Sequence, residues 1–239
     1  MTHTFRFAAA MLAGLLISLP ATASAQAGKA SPCTPAAEAE FGDPVVCTGT
    51  MKKNGHTLIV RLYWDILADT DEWHVQRIET AKTPTGKART VFADVDSRAP
   101  MTMEANGFEF GDFNFDGYTD FRLIEFLPAG PNVAYFNAIY DPKIHKHVAA
   151  AHLNMVSAPE FDAKSNLVIS EWRGNAATHG RDVFAWEGTD LVMRKRDVSM
   201  FDDADHCMMT TYEPVGRVTA DMLGAEDKLL KEVYEAPCN

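Results

Sequence analysis

Asp112-Phe113-Asn114-Phe115-Asp116-Gly117-Tyr118-Thr119-Asp120 reads D-x-N-x-D-G-x-x-D, the opening of an EF-hand-type calcium loop. Calcium takes several hard oxygen ligands, and such a loop supplies them from positions 1, 3, 5, 7 and 9, with glycine at 6 for the sharp turn. Those positions are Asp112, Asn114, Asp116, the carbonyl of Tyr118, and Asp120, with Gly117 at the turn. Carboxylates packed this closely repel one another unless a cation lies between them. Position 12, the bidentate glutamate of a true EF-hand, is Leu123. The flanks are also wrong for helix–loop–helix. Phe108 and Phe110 sit at strand spacing, and Phe113 and Phe115 continue it. Afterwards comes Phe121-Arg122-Leu123-Ile124-Glu125-Phe126, rich in residues that favour strands. The stretch therefore predicts a loop between strands that holds Ca2+ as a structural staple rather than a catalytic centre. The bland alternative is an acidic Asx-turn without metal.

Outward from the loop the same grammar repeats. Strands are expected over 45–51, 56–65, 73–81, 90–95, 121–127, 133–140, 146–155, 166–172, 182–186, 191–198 and 207–212, parted by polar turns. Several units end a strand on an aromatic and an acid, as in Tyr63-Trp64-Asp65, Ile139-Tyr140-Asp141 and Ala185-Trp186-Glu187. Short strands with local turns predict an all-β antiparallel meander, either a sandwich or a partial propeller. Helical spacing arises only near the end, where Ala225, Leu229, Leu230 and Val233 share one face, predicting a short C-terminal helix.

The chain opens on Arg6, an apolar run over 7–19, Pro20 and Ala23-Ser24-Ala25. That is the pattern of a cleavable secretory signal over 1–25. Residues 26–43, rich in Ala, Gly, Pro and Ser, read as a flexible leader, and 44–239 as one β-rich domain. The destination that fits best is a Gram-negative periplasm, with secretion as the alternative. The formal net charge is −11 over 239 residues, which makes nucleic acid and anionic membrane poor partners and a basic protein a good one. Cys33, Cys47, Cys207 and Cys238 form an even set in an oxidising compartment, so two disulfides are expected, with three connectivities open. Closeness in sequence favours Cys33–Cys47 and Cys207–Cys238.

No catalytic motif stands out: there is no G-x-S-x-G, H-E-x-x-H or P-loop. His145 and His147 would share a strand face with His152 nearby, but no third metal ligand is defined. Asp202, Asp203 and Asp205 lack the glycine and alternation of a calcium loop and read as an exposed acidic turn. Trp64, Trp73, Trp172 and Trp186 read as core more readily than as a sugar platform.

A resemblance now becomes visible in the order of the pieces. The signal pattern is followed by the loop from Gly111 to Phe121, then Ile139-Tyr140-Asp141-Pro142, Ser170-Glu171-Trp172-Arg173-Gly174-Asn175-Ala176, and Val183-Phe184-Ala185-Trp186-Glu187 with Leu191-Val192. Over about residues 100–198 this order resembles a family of calcium-loop periplasmic proteins related to the inhibitors of i-type lysozyme. Some members are immunity proteins against peptidoglycan hydrolases. The resemblance implies Ca2+ on Asp112, Asn114, Asp116 and Asp120, a lysozyme-like peptidoglycan hydrolase as partner, and no enzymatic activity. Related inhibitors push a Ser-Gly-x-x-Tyr loop into the enzyme's cleft, and this sequence lacks that pattern. Its counterpart is residues 172–181, with Trp172, Arg173, Asn175, His179 and Arg181 as candidate contacts. Arg173 and Arg181 can pair with acidic cleft residues, and Gly174 permits close approach. Two other classes stay open: a calcium-stabilised envelope or adhesive β-module, and a calcium-dependent polysaccharide hydrolase.

Overall fold

The computed structural model of the chain describes residues 32–34, 42–52, 55–67, 69–70, 72–100, 102–202 and 206–238. The signal pattern, most of the leader, and Asp203 and Asp205 lie outside the described residues. The described chain is all-β, in two open sheets that do not close into a barrel.

The first sheet takes β1 (Val45–Thr50), β2 (Thr57–Leu67), β3 (Glu72–Ala81), β5 (Ser97–Pro100), β7 (Asp120–Phe126), β8 (Ala134–Asp141) and β9 (Lys146–Ala149) in that order. Two short strands lie off this path: β4 (Thr90–Phe92) on β3, and β6 (Glu109–Gly111) on β7. Every pairing is antiparallel except β5 with β7, which meet in parallel at Arg98 and Phe126. The second sheet is a pure meander of β10 (Pro159–Asp162), β11 (Leu167–Arg173), β12 (Thr178–Glu187), β13 (Asp190–Phe201), β14 (Cys207–Pro214) and β15 (Leu230–Pro237).

Each sheet buries apolar side chains in its own cluster. The first gathers Leu58, Val60, Leu62, Ile78, Phe121 and Leu123; the second gathers Leu153, Val156, Val168, Phe184, Leu191 and Met193. In β2 the run Leu58 to Leu62 is buried on both faces, so Arg61 also lies inside. Its guanidinium is satisfied by Glu79 on β3 and by the carbonyls of Pro84 and Gly86. A buried charge needs a partner and hydrogen bonds of this kind.

Three expectations are corrected. The C-terminal segment is a 3-10 turn (Glu226–Leu229) followed by strand β15, not a helix. The only α-helix among the described residues is α1 (Ala151–Asn154), inside the segment expected to be strand over 146–155. Residues 172–181 are not a long loop: β11 runs to Arg173 and β12 starts at Thr178, which leaves a tight turn over 174–177. Both disulfides pair as sequence closeness favoured, Cys33 with Cys47 and Cys207 with Cys238. Near the first, Thr34 N–H donates to Val46 O and Thr48 N–H to Pro32 O, so this piece of the leader lies along β1.

Candidate functional site

The loop before β7 is a cage of Asx interactions. Asp112 accepts Asp116 N–H at 3.0 Å on one oxygen and Gly117 N–H at 2.9 Å on the other. Asp116 accepts Tyr118 N–H at 2.9 Å and the side-chain amide of Asn114 at 3.1 Å. Gly117 has φ +83°, the left-handed conformation that glycine adopts without steric cost. Asp120 is fully buried at the first residue of β7. Its carboxylate accepts Phe113 N–H at 2.7 Å and Tyr140 N–H at 2.8 Å. Burial pushes its pKa up to about 7; the two amides work against that rise, and the like charges of Asp116 and Asp112 add to it.

The donors at Asp112, Asn114, Asp116, Tyr118 and Asp120 are all oxygen, which suits a hard cation such as Ca2+. Each carboxylate oxygen has two lone pairs, so those already taking an amide keep one more. Convergence is another matter. Among the described residues no three His, Cys, Asp or Glu side chains are gathered as a ready-made metal centre. The loop has the donor types and the turn, with its side chains directed at its own amides.

The same loop stitches the two sheets together. The Phe113 ring belongs to the second cluster and stacks on Phe161 at 4.5 Å, and its carbonyl accepts the Trp186 indole N–H at 2.9 Å. Thr119 binds back to the first sheet through Met51 O and Thr50 O. His147 of β9 donates from Nε2 to Thr119 O at 2.9 Å, since a carbonyl can only accept. Burial pushes the His147 pKa down to about 4, against the rise from that carbonyl bond.

The second candidate is the β11–β12 hairpin. Asn175 caps the turn, its side-chain oxygen accepting Ala177 N–H and Thr178 N–H. Arg173 is exposed and folds its guanidinium onto the turn's own carbonyls, Nε to Asn175 O at 3.0 Å. Asn132, in the β7–β8 loop, grips the Arg173 backbone with both ends of its amide, accepting N–H at 2.9 Å and donating to the carbonyl at 2.8 Å. Every other described arginine except Arg89 lies within ion-pair distance of a carboxylate. Arg173 therefore carries an uncompensated charge on a fixed turn of an acidic protein.

Beside this turn lies a groove of about 440 Å3, whose lining includes Trp172, Arg173, His179, Arg181, Asp197 and Met209. The structure thus brings four of the five candidate contacts to one place. Their roles differ. Arg173 and His179 are exposed and Arg181 half-buried, while the Trp172 ring lies flat across Gly180, its partner on β12. A Cβ at Gly180 would lie 2.0 Å from that ring. Arg196 stands 5.4 Å from the ring centroid and is held by Asp182 through paired bonds at 2.6 and 2.7 Å. Trp172 and Asn175 are therefore structural. Sequence reading missed Asn132, for which no local signal exists, and Gly180, whose place opposite a tryptophan follows only once the hairpin register is known.

The remaining candidates disperse. His147 is buried, whereas His145 is exposed with φ +56°. His152 lies 3.8 Å from Asp190 and 3.9 Å from Asp221. Trp73 is buried against Trp64, their centroids 3.9 Å apart. Asp202 binds the His206 side chain and backbone.

No protein-family model and no curated protein sequence matches the chain. Its architecture is that of a class of open, two-sheet all-β proteins already seen in a solved structure. A Xanthomonas type IV secretion system related protein superposes with a TM-score of 0.56 at 14% identity, covering 86% of this chain and 100% of that one. At that identity the likeness shows the fold. No helix among the described residues is long and apolar enough to cross a membrane.

Proposed function

We propose that this is an extracytoplasmic, calcium-stabilised inhibitor, of the immunity type, that blocks a lysozyme-like peptidoglycan hydrolase and has no catalytic activity of its own. The observation that carries the reading is Arg173. Its guanidinium has no carboxylate partner among the described residues, on a turn anchored by Asn175 and Asn132. Glycosidase clefts hold a pair of carboxyl groups, which a guanidinium can take in bidentate fashion. The fold neighbour's association with type IV secretion supports a secretion-related setting, and two disulfides suit an oxidising compartment. Ca2+ would sit on Asp112, Asn114, Asp116, the Tyr118 carbonyl and Asp120, and would supply the positive charge those buried and clustered acids lack.

The test is lysis of a peptidoglycan suspension by candidate hydrolases, followed as turbidity, with and without the mature protein. Wild type should inhibit at least one of them. Arg173→Ala should inhibit about thirtyfold less well, the equivalent of about 2 kcal/mol for an arginine hot spot. If wild type leaves every hydrolase untouched, the reading fails and an envelope β-module takes its place.

A further inference from the structure

The groove beside the hairpin is a site in its own right. Its volume of about 440 Å3 falls within the roughly 300–1,000 Å3 of ligand-binding clefts. Its lining holds two arginines and two acids, and neither acid is committed to Arg173. Asp197 is already engaged, 2.9 Å from Lys195 Nζ and accepting the Thr211 hydroxyl at 2.6 Å. Glu171 reaches Arg181 only at 3.9 Å, with its side chain 74% exposed, so solvent screens that pair. Arg173 has no acid at all among the described residues. Arg173 pairs with His179 across the strands, and Arg181 lies two residues further along the same strand, so all three share a face. That diagonal places the two arginines roughly 7–8 Å apart at the backbone, close enough for both forks to reach one short acidic segment.

The apolar part of the wall is Met209 and Pro131; the Trp172 ring lies on the other face of the sheet, over Gly180 and beside Arg196.

We propose that this groove binds a peptide segment bearing a carboxylate, with the acid between Arg173 and Arg181 and flanking apolar side chains against Met209 and Pro131. This rests on the inhibitor reading in that the hydrolase would supply the segment. Simple inorganic anions lack the apolar part and fill the site poorly.

The experiment titrates three probes into the isotopically labelled mature protein with Ca2+ present, following backbone amide and indole resonances. The probes are a blocked peptide with one glutamate between leucines, its glutamine counterpart, and inorganic phosphate. The glutamate peptide should saturate and shift Arg173, His179 and Arg181, and the glutamine peptide should bind at least about tenfold more weakly, a loss in keeping with one charge-assisted contact. Arg173→Gln and Arg181→Gln should each weaken the glutamate peptide by a similar factor, with unchanged dispersion elsewhere. Equal binding of the two peptides, phosphate binding as tightly as peptide, or shifts confined to another surface would overturn the proposal. If the peptide binds as described and no hydrolase is inhibited, the groove stands and the inhibitor reading falls. If Arg173→Ala abolishes inhibition while no peptide binds, the groove falls and the inhibitor reading stands.

Discussion

Gly180 shows how one residue sets the hairpin's working face. The Trp172 ring occupies the space a side chain would take there, with its carbons 2.0–2.6 Å from where a Cβ would sit. Gly180→Ala must therefore expel the ring or bend β12, and overpacking of this kind costs about 1–3 kcal/mol. We expect a lower melting temperature and a red-shifted tryptophan emission, read by thermal melts and fluorescence. Gly174→Ala is the control, because its nearest neighbour is an ordinary 3.5 Å away; if the two variants behave alike, the ring is not held by Gly180. The sequence displayed Trp172 and Arg173 side by side and could not say which one faced outward. Only the strand register assigns Trp172 to packing and leaves Arg173 exposed. His147 makes a second residue-scale case. Burial holds its pKa near 4 in the folded protein against 6.5 in the free side chain, so the unfolded chain takes up a proton first as pH falls. Its contribution is complete above pH 6.5 and is lost on the way down to about 4, amounting to roughly 3 kcal/mol. Asp120, raised toward 7, acts in the opposite sense over part of the same range. The measurement is therefore the difference between wild type and His147→Gln in urea melts at pH 7.5 and 4.5. The gap in favour of wild type should shrink at the lower pH, and a constant gap would contradict the burial argument.

Among the elements, the stretch from Asp112 to Asp120 was legible because its chemistry is local: every side-chain donor and the turn glycine lie within a few residues of one another. The C-terminal strand was not. Ala225, Leu229, Leu230 and Val233 do fall at helical spacing, yet Leu230 pairs with Pro214, Tyr234 with Thr211, and Cys238 is tied to Cys207 of β14. Those partners are distant in sequence, and tertiary pairing overrides a weak helical pattern. Two predictions belong at this scale. Extracellular-type calcium modules bind at about 0.1–1 mM, so Ca2+ at ten times the dissociation constant adds roughly 1.4 kcal/mol. Chelator should lower the melting temperature of wild type, and Asp116→Ala should remove the difference; identical wild-type melts with and without chelator would end the calcium proposal. The second concerns the disulfide between β14 and β15, whose cysteines are 31 residues apart. Closing a loop of that size is worth about 3–4 kcal/mol in the chain-entropy model. Cys207→Ser with Cys238→Ser should destabilise the fold by up to that amount and speed amide exchange first along the exposed edge strand β15. Exchange that rises uniformly through both sheets would show instead that the bond acts on the whole domain.

For the whole molecule, the question is whether two sheets with separate apolar clusters behave as one. Strand patterns could announce an all-β chain, since alternation and turn residues are local signals. They could not say which strands share a sheet, because the parallel meeting of β5 with β7 and the division of strands between two sheets depend on contacts no short window contains. The connection between the clusters runs through the loop before β7. Phe113 packs in the second cluster while Asp120, seven residues on, holds both Phe113 N–H and Tyr140 N–H of the first sheet. Arg122 of β7 adds a further tie, lying over the Phe113 and Phe161 rings and donating to the Pro159 carbonyl at 2.6 Å. Coupling of this kind should produce a single unfolding transition. Trp186→Phe tests it: an aromatic ring is kept, while the N–H that the Phe113 carbonyl accepts is lost together with part of the indole's packing against the second cluster. A buried acceptor that loses its partner costs about 1–3 kcal/mol, and in a domain of this size each kcal/mol moves the melting temperature by about 2–4 °C. Calorimetry on the Ca2+-loaded protein should show one peak for wild type and one lower peak for Trp186→Phe, each with calorimetric and van't Hoff enthalpies in agreement. Two peaks in wild type, of which the substitution moves only one, would mean that the sheets unfold independently and that the loop joins them in sequence without coupling their stability.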